Sequence, residues 1–199
     1  MLRRNFLRIL VGALAVAPVA AEAKIRRHKK KLVAKLRKPQ RPKRPVYQGH
    51  TTVAFASSEK PGTIIIKTKE RVLYRVLGGG KATRFLVAVG KEGFSWAGVA
   101  KVGMKRENPV WTPPAEMIER TPKYAQWADG MPGGLAINPL GPRAMYLFNK
   151  GGDTGFRIHG TIHPESIGTA ASSGCIRMLN REVIELYGLT RLGTKVIVL

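Results

Sequence analysis

From residue 63 onward the chain alternates short apolar runs with polar breaks, a pattern that predicts strands. Thr63-Ile64-Ile65-Ile66-Lys67-Thr68 is β-branched at its centre, and Arg71–Leu77 and Phe85–Val89 are further runs of the same kind. Gly78-Gly79-Gly80 lies between those two runs and predicts a turn. Ala144–Phe148, Gly155–His159 and Lys195–Leu199 repeat the strand character later in the chain. A helix is predicted over Arg181–Tyr187, with Asn180 as its cap and Gly188 as its stop. From about Trp96 to Leu140 glycines and prolines are frequent and Trp96, Trp111 and Trp127 stand among them, so this stretch predicts long loops. No internal repeat is visible. The element set predicts a mainly β domain over residues 46–199, long enough to enclose one core.

The N-terminus changes the picture. An apolar run from Ile9 to Ala21 follows Arg3-Arg4-Asn5-Phe6-Leu7-Arg8 and ends at Ala21-Glu22-Ala23, a small-x-small cleavage pattern. Residues 1–23 therefore predict an export signal of twin-arginine type, too short for a membrane span of about 20 apolar residues. An uncleaved N-terminal anchor is the alternative, and both place the remaining chain outside the cytoplasm, in the periplasm or cell envelope. Residues 24–45 hold twelve Lys or Arg and no acid, with Pro39, Pro42 and Pro45 in the second half. They predict a basic tether whose second half is extended. Much of the formal net charge of +23 sits there. Outside the cytoplasm the matching partners are anionic lipid head groups and acidic wall polymers rather than nucleic acid, or the tether is simply solvated.

Two motifs carry possible chemistry. Gly78-Gly79-Gly80-Lys81 fails as a phosphate loop, because Arg75 stands where the first glycine belongs and Ala82 where the hydroxyl belongs. The second is the single cysteine, Cys175. In an exported chain an unpaired thiol is an intermolecular bridge, an inert core residue or a reactive group. A reactive thiol needs a base, and His159 lies in the same stretch, FRIHGTIHPESIGTAASSGCIRM, at the end of a predicted strand. Gly160 admits a neighbouring backbone. Ser172-Ser173-Gly174 is small and predicts a flexible mouth to a cleft, where backbone N–H groups near Gly174 converge as an oxyanion hole requires. Arg177 shares the face of Cys175 if the segment is extended, and suits a substrate carboxylate. A zinc site of His159, His163 and Cys175 is disfavoured by Gly160 and Pro164, which argue against one helix carrying both histidines. His50 reads as a surface residue beside the tether.

His159-Gly160-Thr161 followed by Ser172-Ser173-Gly174-Cys175-Ile176-Arg177, with Ser166-Ile167-Gly168 between, resembles the signature of L,D-transpeptidases, the YkuD-type catalytic domain. A weaker likeness covers about residues 61–199. The resemblance implies a β-sandwich of mixed sheets with one helix after the cysteine. It also implies an enzyme acting on peptidoglycan stem peptides with neither metal nor cofactor. In that scheme Cys175 attacks the third residue of a stem tetrapeptide, D-Ala leaves, and an amine resolves the thioester. His159 is the base, the Gly160 carbonyl orients it, N–H groups near Gly174 hold the oxyanion, and Arg177 contacts substrate. The implied acceptors are a second stem peptide, a D-amino acid or an outer-membrane protein. Water as acceptor makes a carboxypeptidase or endopeptidase instead, and a basic wall-binding protein with a dead site is the non-enzymatic alternative. Ser173 departs from the many members that carry histidine there.

Overall fold

A computed structural model of the 199-residue chain describes Arg27, Tyr47 and residues 49–93 and 96–199. The predicted export signal and all of the predicted tether except Arg27 lie outside the described residues. The chain divides into two units, Met1–Val46 and Tyr47–Leu199; the second is the mainly β unit described below.

Among its described residues there are eleven strands and two α-helices. They are β1 (Thr51–Ala54), β2 (Ile64–Lys67), β3 (Val72–Gly78), β4 (Lys81–Leu86), β5 (Val89–Gly90), β6 (Gly98–Glu107), α1 (Ala115–Arg120), β7 (Arg143–Asn149), β8 (Gly152–His159), β9 (Ala170–Ser172), β10 (Ile176–Arg177), α2 (Asn180–Leu189) and β11 (Lys195–Val198). Nine strands form one mixed sheet in the order β1-β4-β3-β2-β11-β6-β7-β8-β10, and β5 pairs with β9 separately. β11 runs parallel to β2 and β10 parallel to β8.

The sheet is rolled. β4 and β10 are seven places apart in the strand order, which in a flat sheet is about 34 Å. Yet Ala88, two residues beyond β4, exchanges backbone hydrogen bonds of 2.9 and 2.8 Å with Arg177 of β10. Two residues span only about 7 Å, so the sheet must fold back on itself. The concave side encloses the main core. Alternate residues of β2 (Ile64, Ile66), β11 (Val196, Val198), β6 (Ala100, Val102) and β7 (Met145, Leu147) point into it and meet Val183 and Leu186 of α2. A second, smaller cluster of Ile65, Val72, Tyr74, Val76 and Ala82 covers the opposite face.

Three expectations need correction. The run Phe85–Val89 is not one strand, because β4 stops at Leu86 and Val89 begins β5 in the other sheet. Phe85, Val87, Ala88 and Val89 are all buried, since this segment crosses through the core. A continuous apolar run has no alternation to distinguish a crossover from a strand. The predicted long loop between Trp96 and Leu140 contains β6, the longest strand, with ten residues. Gly103 within it lies under the Phe148 ring, where a Cβ would come within 2.4 Å of Cδ2; such a glycine marks close approach rather than a loop. The helix Arg181–Tyr187 exists, but it begins at Asn180 and runs through Gly188 to Leu189. Asn180 does not cap it, and the C-terminal carbonyls of Tyr187 and Thr190 are instead taken by Lys105 Nζ at 2.7 and 2.6 Å.

Candidate active site

The edge pair β8–β10 sets the site. Ile158 faces Ile176 and His159 faces Arg177 across the parallel ladder, and the Met178 N–H extends it with a 2.9 Å bond to the His159 carbonyl. Ile158, Ile176 and Met178 point into the core. By strand alternation His159, Arg177 and Cys175 therefore share the other face. Cys175 and His159 are diagonal neighbours, with side chains that start roughly 7 Å apart. Sequence separation is sixteen residues, and the parallel pairing removes it.

Loops cover the imidazole. His159 is only 4 % exposed, and the Gly160 and Leu140 carbonyls lie beside its ring. Nδ1 is fully buried and makes no hydrogen bond of good geometry. Burial, followed by the Arg177 charge, pushes the imidazole pKa down to about 4, against the pull of those two carbonyls. The ring is therefore neutral at pH 7. The Cys175 thiol is half-buried, and its burial pushes its pKa up, while the Arg157 backbone N–H and the charges of Arg157 and Arg177 pull it down. It points at the Gly155 carbonyl, 3.9 Å away, and not at His159. The resting pair is thiol and neutral imidazole.

The turn before the thiol is not loose, contrary to its small residues. Ser172 is buried, donates from Oγ to the Cys175 carbonyl at 2.6 Å and accepts the Gly174 N–H at 3.1 Å. Gly174 holds φ +119°, a conformation that other residues rarely adopt. The Gly174 N–H is thus already engaged, whereas the Cys175 N–H makes no hydrogen bond among the described residues. Ser173 is exposed. Arg177 is half-buried, which lowers its pKa, and has no ion-pair partner among the described residues.

Three further residues support the site. Asn180, expected as a cap, turns its Oδ1 to accept the Thr161 N–H at 2.8 Å. That oxygen lies between two glycines, where a Cβ on Gly160 would come within 2.3 Å of it and one on Gly141 within 2.6 Å. Asn138 is 1 % exposed and donates to the carbonyls of Pro109 and Pro132 at 3.0 and 3.1 Å, which anchors the loop that brings Leu140 to His159. Arg157 forms a bidentate pair with Asp153 at 2.6 and 2.7 Å, and its guanidinium stacks 4.3 Å from the Tyr146 ring. The Asn-Pro-Leu-Gly run was the one available signal for Asn138, while Asn180 and Arg157 had none beyond their residue type. His163 pairs at the surface with Glu165 at 3.0 Å, and no cluster of three His, Cys, Asp or Glu forms among the described residues.

A rolled mixed β-sheet that presents a thiol and a buried neutral imidazole on one face of an edge strand pair defines a class of scaffold suited to thiol chemistry. The family model described as YkuD, L,D-transpeptidase catalytic domain, matches residues 61–198, and the chain belongs to that family. The chain is 33 % identical over 137 residues to the putative L,D-transpeptidase YqjB of Bacillus subtilis, covering 68 % of this chain and 69 % of that protein. It is 37 % identical over 99 residues to a putative L,D-transpeptidase of Fuscovulum blasticum, covering 50 % of this chain and 48 % of that protein. The match therefore spans about half of that relative's length. Among solved structures, one from Brucella melitensis, described as a probable carnitine operon oxidoreductase, is 48 % identical with a TM-score of 0.52, covering 80 % of this chain and 96 % of that one. An L,D-transpeptidase from Mycobacterium smegmatis is 16 % identical with a TM-score of 0.51, covering 69 % and 58 %, a likeness of fold.

Proposed function

We propose that this protein is a peptidoglycan L,D-transpeptidase of the cell envelope that uses Cys175 as its nucleophile. The observation that carries the reading is the shared face of His159 on β8, Arg177 on β10 and Cys175 just before β10, in a chain of this family. His159 stays unprotonated at neutral pH, so it is ready to accept a proton as the thiol attacks the carbonyl of the third stem residue. The imidazolium so formed is favoured by the Gly160 and Leu140 carbonyls, the orienting role of a triad's third member. A substrate carboxylate on Arg177 neutralises the charge that depresses His159 and makes the imidazole a stronger base once substrate is bound. The Cys175 N–H serves the oxyanion, in place of the engaged Gly174 N–H. Collapse of the tetrahedral intermediate breaks the peptide bond, and the imidazolium proton goes to the departing D-Ala amine. An acceptor amine then attacks the thioester, gives its proton to His159 and forms the new amide, and His159 returns the proton to the thiolate.

The export signal and basic tether read from the sequence support an envelope location. The tether holds the enzyme to anionic surfaces and takes no part in chemistry. The test is a mass spectrum of stem-tetrapeptide muropeptide after incubation with the protein, with Cys175→Ala as control. A cross-linked dimer lacking one D-Ala, absent from the control, is the expected product. Tripeptide monomer alone, also in the presence of D-amino acids, would assign the enzyme to hydrolysis. Unchanged tetrapeptide with retained wall binding would favour the non-enzymatic reading.

A further inference from the structure

Away from the thiol, a groove of about 950 Å³ opens between the turn before β2, the end of β3 and the C-terminal end of α2. α2 has ten residues, so its two ends lie about 15 Å apart. Asn180 at one end holds Thr161 beside His159, while Gly188 and Leu189 at the other line the groove. The groove is therefore a separate place on the same helix.

Its charge is one-sided. Lys60, Arg75, Arg191 and Lys195 line it against a single acid, Glu59, and Lys195 Nζ takes the Glu59 carboxylate at 2.7 Å. Lys60, Arg75 and Arg191 have no ion pair among the described residues. Arg75 adds an independent sign. It projects from the core-facing side of β3, and its Nε is fully buried with no hydrogen-bond partner. A buried donor without an acceptor is costly, and a carboxylate in the groove beside the half-buried guanidinium offsets that cost through its charge. Leu77 and Leu189 on the rim are 39 and 50 % exposed, which offers aliphatic contact beside the charges. A planar guanidinium fork with apolar flanks suits the carboxylates of a peptide.

We propose that this groove binds carboxylates of a second stem peptide on the same wall polymer whose first stem peptide occupies the thiol site. The proposal rests on the transpeptidase reading and deepens it, since the groove then selects polymeric over monomeric donor. The test compares two soluble substrates, a disaccharide-tetrapeptide monomer and an uncross-linked glycan chain bearing several tetrapeptides. The variants are Lys60→Gln/Arg191→Gln, both exposed and safe for folding, and the same pair with Arg75→Gln. KM for the chain is expected to rise roughly five- to tenfold, the scale of two or three charge contacts, with kcat/KM for the monomer unchanged. An unchanged KM for the chain, with monomer turnover intact, would overturn the proposal. So would lost binding to phosphatidylglycerol vesicles without any change in chain KM, which assigns the groove to phosphate head groups. If the wild-type protein turned over neither substrate, the transpeptidase reading would fail instead. Calorimetric binding of the chain to Cys175→Ala, with and without the groove substitutions, would then decide the groove on its own.

Discussion

Two parallel strand pairs of one sheet have the same backbone ladder and opposite fates. β2–β11 sets Ile64, Ile65 and Ile66 against Val196, Ile197 and Val198. It lies between β3 and β6, with an apolar cluster on each face. A polar side chain there would find neither water nor partner. β8–β10 sets Ile158 and His159 against Ile176 and Arg177 at the end of the sheet. Only one of its faces is apolar, and β10 is bridged on its free side by a single residue, Ala88. Both pairs are parallel, so position in the sheet, not strand direction, decides where polar chemistry is tolerated.

The sharpest way to break the comparison is to truncate both pairs. Cys175→Ala and His159→Ala are expected to lower D-Ala release about 10³-fold or more, and Cys175→Ala to leave the urea midpoint nearly unchanged. Ile66→Ala is expected to do the reverse, costing about 2–5 kcal/mol in urea unfolding while folded protein keeps its kcat. If Ile66→Ala lost activity at full stability, the division between the pairs would be wrong.

A subtler probe strikes the backing of the edge pair. Gly160→Ala places a methyl against Asn180 Oδ1 at 2.3 Å and the Leu140 carbonyl at 3.1 Å. It is expected to cost about 1–3 kcal/mol and to lower kcat by moving the loop beside His159. Adding Asn180→Ala should recover part of that loss, and strict additivity in the double-mutant cycle would contradict the close contact.

The next effect depends on pH. The folded chain holds the His159 pKa down at about 4, while an unfolded histidine takes a proton near 6.5. The unfolded state therefore binds more protons between those values, and stability falls as pH drops from about 6.5 to about 4, by about 3 kcal/mol from this residue. Chemical denaturation across that range should show a shallower slope for His159→Gln than for the wild-type chain.

The smallest expected effect lies on α2. Glu182 is 1 % exposed with neither carboxylate oxygen well hydrogen-bonded, and burial pushes its pKa up. An acid raised on folding favours the folded state as pH falls and opposes it once the carboxyl ionises. Glu182→Gln should raise the neutral-pH Tm by about 2–4 °C, the shift expected from about 1 kcal/mol at this size, and leave the low-pH Tm unchanged.

Legibility followed the same division. The apolar runs of β2, β3, β7, β8 and β11 were readable because their residues are β-branched or alternate at period two. β6 was not, since Gly98 and Gly103 masked its alternation, and the buried crossover at 85–89 imitated a strand. At the site, Cys175, His159 and Arg177 were visible as residue types at telling spacings. The clamp of Ser172, the diversion of Asn180 and the anchoring by Asn138 were not, because each depends on a partner brought close by folding.

The sequence by itself determined the mainly β character, the strands with clear apolar runs and the residues available for thiol chemistry, since periodicity and side-chain chemistry are local properties. Only the tertiary structure decided that the sheet rolls until Ala88 meets Arg177, that loops seal His159 into a neutral state and that the thiol rests on Gly155 rather than on the imidazole. These outcomes depend on burial and on contacts between distant segments. Desolvation and charge act through space, and the order of residues along a chain does not encode their distances.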